Sequence, residues 1–242
     1  MRAFIFTICL CGFLAHGQQP AQVAGRTNVI AVKSTALVYK PPHRGSPAKR
    51  VNAASRTESD SSPTITALAP EHPGLTTKEM PTFFWDLSKS FTGRVDFILV
   101  GPNNSLFRTN FVGAFNPGIH KYSLVDSGFK LALESDYEWI LVLSLNPEKS
   151  SRDAISHGLI IHTTMDSKAL QKIKKTAASR LPLVYVEEGF WYDALECLVA
   201  QLEKTPSDLS VQKNISELLK QGGIDRTGQP LAVAEEKLSQ KN

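Results

Sequence analysis

The chain is poor in cysteine and has no long apolar run. Only three of its 242 residues are cysteine, Cys9, Cys11 and Cys197, and the first two fall in an N-terminal leader. Once that leader is removed no internal disulfide can form, which excludes a disulfide-stapled small scaffold and leaves stability to the hydrophobic core. A membrane-crossing helix needs about 20 apolar residues in succession, and no stretch supplies them. The fingerprints of common chemistries are missing as well. There is no Gly-x-x-x-x-Gly-Lys phosphate loop, no Gly-x-Gly-x-x-Gly dinucleotide turn, no Cys-x-x-Cys pair and no Gly-x-Ser-x-Gly nucleophile turn. His157 and His162 are five residues apart, so along one regular strand they point to opposite faces and cannot share a metal ion. The sequence therefore predicts no cofactor, no metal and no catalytic residue.

Net positive charge is also scarce where it would matter. The formal charge is +4, but residues 18–63 hold seven Lys or Arg against Glu58 and Asp60, a net of +5. With Arg2 set aside too, the remainder lies near −2. A basic face for nucleic acid is not expected.

What is present begins with an address. Residues 1–17 carry one cation at Arg2, an apolar run from Ala3 to Leu14, and small residues Ala15 and Gly17 at the positions a signal peptidase requires. This pattern predicts an exported protein, periplasmic or extracellular, without a transmembrane segment after cleavage. Residues 18–63 are rich in Ser, Pro, Ala, Lys and Arg, and Tyr39 is their only aromatic residue. So few apolar groups do not offset the entropy of ordering, and a disordered linker is expected. Within it, Tyr39-Lys40-Pro41-Pro42-His43-Arg44-Gly45-Ser46-Pro47 favours extended backbone and has two readings, a docking peptide or a solvated spacer.

Beyond residue 63 the pattern changes to short runs of β-branched and aromatic residues separated by Pro, Gly and Asn. Strands are predicted at 64–68, 82–87, 94–100, 105–112, 118–124, 136–145 and 156–164. Gly101-Pro102-Asn103-Asn104 reads as a hairpin connection. Tyr137, Trp139, Leu141, Leu143 and Leu145 fall on alternate residues and so line one sheet face. Seven such segments predict an antiparallel β-sandwich of the immunoglobulin or fibronectin type over residues 64–165. Leu131 followed by Tyr137 is similar to the tyrosine corner of those sandwiches.

From residue 166 the period becomes helical. Asp166 or Ser167 caps a first helix, with Ala169, Leu170 and Ile173 on one face. Leu181, Tyr185, Gly189, Trp191, Ala194, Leu198, Leu202 and Pro206 have the large–small spacing of a helix pair joined at a Gly turn, as in a tetratricopeptide repeat of about 34 residues. A half-repeat follows, with Ser207 or Asp208 as cap, Ile215 and Leu219 on one face, and Gly223 placed 34 residues after Gly189. The fold class expected is thus α+β: a sandwich followed by a tetratricopeptide-like helical region over 166–226, then a flexible tail over 227–242. One and a half repeats cannot bury a solenoid core alone, so these helices must pack on the sandwich or on a partner.

Leu68-Ala69-Pro70-Glu71, Gly74-Leu75-Thr76, Pro81-Thr82-Phe83-Phe84-Trp85 and Glu188-Gly189-Phe190-Trp191-Tyr192-Asp193-Ala194-Leu195 together resemble the bacterial family of domain of unknown function 928, in order and in spacing. The resemblance runs from about Tyr39 to Gly223. It implies export and brings no reaction, cofactor or catalytic residue with it. The function expected is a non-enzymatic interaction module of the cell envelope whose partner is an envelope or secreted protein. The alternative is a carbohydrate-binding or carbohydrate-active envelope protein. Candidate binding residues are Trp85, Glu188 and Tyr192, two rings and a carboxylate next to predicted turns or strand ends.

Overall fold

The computed structural model describes residues 37–42, 62–145, 153–226, 231–234 and 239–241, the last three by backbone alone. The leader 1–17 and most of the 18–63 segment lie outside the described residues. Among the described residues, nine strands and four α-helices make an α+β fold. The strands are β1 (Ile65–Ala67), β2 (Gly74–Thr76), β3 (Thr82–Leu87), β4 (Phe91–Val100), β5 (Leu106–Phe115), β6 (Gly118–Ser123), β7 (Asp136–Ser144), β8 (Ala154–His162) and β9 (Ser239–Lys241). The helices are α1 (Ser167–Lys175), α2 (Leu181–Glu187), α3 (Trp191–Lys204) and α4 (Leu209–Gln221).

The strands form a small sheet ordered β1-β3-β6 and a large one ordered β2-β8-β7-β4-β5-β9. Their inner faces meet through aromatic rings. Phe83 on β3 lies 5.0 Å from the Phe97 ring on β4 and 5.0 Å from Trp139 on β7, while Trp85 stacks over Phe111 on β5 at 5.9 Å. Alternation along β7 is as expected, with Tyr137, Trp139, Leu141 and Leu143 all buried. The β4–β5 hairpin turns through Asn103 and Asn104, both at φ 57°, a left-handed conformation that asparagine tolerates through local hydrogen bonding. Ala132 N–H donates to Tyr137 Oη at 2.9 Å, five residues upstream of that tyrosine.

Three expectations need correction. The sheets are not wholly antiparallel, because β2 joins the large sheet parallel to β8, with Gly74 opposite Ile160. Gly-Leu-Thr is too short to show a strand period, and β2 is set by its pairing instead. The tail is not free throughout either. Val233 bridges Ile119 in parallel beside β6, and β9 pairs with β5. Both contacts cover sheet edges, whose unpaired N–H and C=O groups would otherwise stay open to a further strand. Finally, residues 37–42 belong to the segment expected to be a disordered linker, yet Leu37 and Tyr39 are buried in the core.

The helices share that core. α3 packs on β2 and β3, and its residues Trp191 to Leu195 are buried without a break. β3 is consequently covered on both faces. On the side away from Phe83, Thr82 Oγ1 donates to Glu196 of α3 at 3.3 Å and Asp86 pairs with Arg226 at 2.7 Å, with Phe84 buried between them. Asp208 caps α4 by accepting from Ser210 N–H at 2.9 Å. Among the described residues no helix is long and apolar enough to cross a membrane.

Candidate functional site

The four sequence segments quoted above converge where α3 meets the sheets. Trp191 Nε1–H donates to the Leu68 carbonyl at 2.9 Å. Next to it, Trp139 Nε1–H donates to Tyr192 Oη at 2.8 Å, and that hydroxyl donates onward to the Leu159 carbonyl at 2.9 Å. A buried relay therefore ties β7 and β8 to α3. Two glycines make room for it. A Cβ on Gly74 would stand 2.7 Å from the Tyr192 ring, and one on Gly158 would stand 2.7 Å from Trp139 Nε1.

Asp193 completes the junction. Its carboxylate accepts from Thr77 N–H at 3.0 Å and from the Thr77 hydroxyl, clamping the loop after β2 to the first turn of α3. Burial pushes the carboxyl above the usual aspartate range, and the threonine hydrogen bonds only partly oppose it. Asp86 is likewise raised by burial, with Arg226 pulling the other way. Cys197, on the same helix, is half-buried, and burial holds its thiol up at about 11. It stays protonated at neutral pH and is a poor nucleophile. These groups hold elements together. Among the described residues, no three or more His, Cys, Asp or Glu side chains gather in a metal-binding arrangement.

The structure places the three sequence candidates differently. Trp85 and Tyr192 are each 1% exposed, so neither ring faces a surface partner, and both are corrected to packing residues. Trp85 is sandwiched between Phe111 and His120, whose imidazole lies 5.8 Å away. His120 is itself buried and donates from Nε2 to the Asn116 carbonyl at 2.8 Å. Glu188 alone remains accessible. It ends α2 beside Lys172 of α1, 3.4 Å away, on the rim of a recess of about 340 Å³. Leu75, Met165, Ala169 and Phe190 line that recess together with Pro42.

Pro42 leads to a feature the sequence reading left undecided. Residues 37–42 lie extended across the ends of three helices. Lys40 N–H donates to the Val186 carbonyl of α2 at 3.0 Å. The Gln221 side chain of α4 grips the segment twice, accepting from Tyr39 N–H at 2.7 Å and donating to the Leu37 carbonyl at 2.9 Å. The Tyr39 ring stands edge-on to Trp191 at 5.1 Å and stacks on His72 at 5.5 Å. Gly189, at φ 82°, permits the approach, since a Cβ there would lie 2.9 Å from the Lys40 carbonyl oxygen.

The family model of a Domain of Unknown Function (DUF928) matches residues 48–235. The chain belongs to this family. No characterised protein matches it. In this DUF928 chain the matched span contains all of the α3 junction as well as Glu188 and Gln221, whereas residues 37–42 lie just ahead of it.

Proposed function

We propose that this chain is an exported, non-enzymatic interaction module that binds an envelope or secreted protein. One observation carries the reading: an extended segment is held across the helix ends through its backbone, by Gln221 and the Val186 carbonyl. Side chains that grip peptide N–H and C=O groups suit the recognition of unfolded stretches of protein. Export rests on the leader pattern of residues 1–17.

The finer architecture belongs to the same reading. We take the sheets as an immunoglobulin- or fibronectin-like sandwich, and α2 to α4 as one and a half tetratricopeptide-like repeats. Gly189 and Gly223 support the second point, for each follows a helix with positive φ, at 82° and 76°. The carbohydrate alternative draws no support from the surface. The large exposed apolar side chains among the described residues are aliphatic, such as Leu106, Val125 and Leu209, and offer no ring on which a sugar could stack.

The test is a photocrosslinking amino acid in place of Glu188, at the rim of the recess, in the protein expressed in its own host. A discrete adduct with an envelope or secreted protein is expected. A chain retained in the cytoplasm, or one that forms no adduct from Glu188 or from the exposed Leu170 of α1, overturns the proposal.

A further inference from the structure

Residues 37–42 are held the way a ligand is held. Burial alternates along them, with Leu37 and Tyr39 inside and Val38 53% exposed between them. Backbone groups on both sides of Val38 are taken by the single Gln221 amide, which reads main chain and ignores the outward side chain. Selectivity is left to the two inward positions. The first takes an aliphatic group. The second is an aromatic slot between Trp191 and His72. Two prolines follow and keep the segment extended as it reaches the Glu188 recess.

One detail sets the chain's own segment apart from an ideal occupant. The Tyr39 hydroxyl is buried with no hydrogen-bond partner among the described residues. An unsatisfied buried hydroxyl weakens an interaction that the same ring without oxygen would strengthen. The slot fits phenylalanine better than the tyrosine that fills it.

We propose that the groove formed by Val186, Gly189, Trp191, Gln221 and His72 is a peptide-binding site, self-occupied by residues 37–42. Its partner is an extended protein segment with an aliphatic residue, a phenylalanine two positions later, and proline two positions after that. The inference rests on the interaction-module reading and names its ligand. The tethered segment acts as a competitor. Short tethers give effective concentrations in the millimolar range, so an external peptide needs either the better-fitting ring or release of the tether.

The test uses two fluorescein-labelled hexapeptides, Leu-Val-Tyr-Lys-Pro-Pro and Leu-Val-Phe-Lys-Pro-Pro, titrated by anisotropy against the full chain and its Tyr39→Ser variant. The variant is expected to bind both peptides at least about tenfold more tightly than the unmodified chain, as loss of a millimolar competitor requires. The Phe peptide binds more tightly than the Tyr peptide. Adding Gln221→Ala weakens binding about fivefold, the loss of a typical hydrogen-bonding group. Equal binding by variant and unmodified chain, or by a scrambled hexapeptide, overturns the proposal. If Tyr39→Ser does not fold, hydrogen exchange on the unmodified chain decides. Millimolar Phe peptide should speed exchange of the Tyr39 and Lys40 amides, and unchanged exchange overturns it. The two proposals fail separately: a partner crosslinked from Glu188 with no hexapeptide binding leaves the module reading standing and removes only this groove.

Discussion

Replacing Tyr192 by phenylalanine deletes one oxygen atom from the centre of the sheet–helix junction. The ring stays, so no cavity the size of a side chain opens. What is lost is the acceptor for Trp139 Nε1–H and the donor to the Leu159 carbonyl. The indole N–H then has no partner in a site where Trp139 is 0% exposed. A buried donor left unsatisfied costs about 1–3 kcal/mol. The Leu159 carbonyl lies in the β7–β8 ladder opposite Glu138 and keeps its sheet environment, so its loss adds less. The expected total is about 2–3 kcal/mol, read as a fall in the urea midpoint at unchanged m. Trp139→Phe removes the other half of the pair. If the hydrogen bond is responsible, Trp139→Phe costs less in the Tyr192→Phe background than alone, with a coupling energy of about 1–2 kcal/mol in the double-mutant cycle. A Tyr192→Phe cost below about 0.5 kcal/mol, or additive single effects, would refute the assignment of the relay as the bolt between sheet and helix.

Asp193→Asn tests the buried carboxyl. Below the ordinary aspartate pKa both folded and unfolded chains hold its proton. As pH rises past that value the unfolded chain releases the proton first, so stability falls until the raised folded pKa is passed. The stability of Asp193→Asn relative to the unmodified chain should therefore improve from pH 4 toward neutrality in urea titrations, about those flanking values, and a flat difference contradicts the assignment. Arg226→Met leaves Asp86 buried beside an apolar group; the expected loss is about 3–5 kcal/mol, and Asp86→Leu added to it should recover most of that loss in thermal melts. Gly189→Ala forces a side chain into a left-handed turn, at a cost of about 1–2 kcal/mol, and against the Lys40 carbonyl oxygen. It should raise hydrogen exchange at the Lys40 amide more than at core amides, and equal protection at Lys40 would count against the contact.

Much of this fold is readable from periodicity. The 82–87 strand is found with its predicted ends, and Tyr137, Trp139, Leu141 and Leu143 face inward as their alternation requires. The elements that escape are those made by pairing. β2, β9 and the Val233 bridge gain their place from backbone hydrogen bonds at sheet edges, which leave little trace in side-chain pattern. Tyr192 escaped for another reason, and the signal was present. At about 100° per residue, Trp191, Tyr192, Ala194, Leu195, Leu198 and Val199 fall within one arc of about 160° on α3, so Tyr192 shares the broad apolar face that the helix turns to the core. Its rings could not have been contact residues. Residues 37–42 gave the weakest signal, because a single apolar-x-aromatic step in a Ser- and Pro-rich stretch acquires meaning only when Trp191 and Gln221 stand opposite it.

The polar junction and the groove are one construction. Trp191 forms a wall of the aromatic slot, and its indole N–H is fixed by the Leu68 carbonyl beside β1. Its ring is admitted by Gly222, where a Cβ would stand 2.2 Å from the indole. Gln221, the residue before, supplies the amide that grips residues 37–39. Apolar packing alone would let α3 and α4 shift by a fraction of an ångström against the sheets, because dispersion and burial have no direction. Hydrogen bonds do have direction, and those of Trp191, Tyr192 and Asp193 set α3 in position and rotation at three successive residues. With α3 fixed and Gly222 at the end of α4 packed against the Trp191 indole, the distance from Trp191 to Gln221 is set, and so is the two-residue step a bound segment must match. The polar groups buried at this junction thus act as positioning residues for recognition: loosening them should reduce the discrimination between phenylalanine and alanine in the slot before it unfolds the chain.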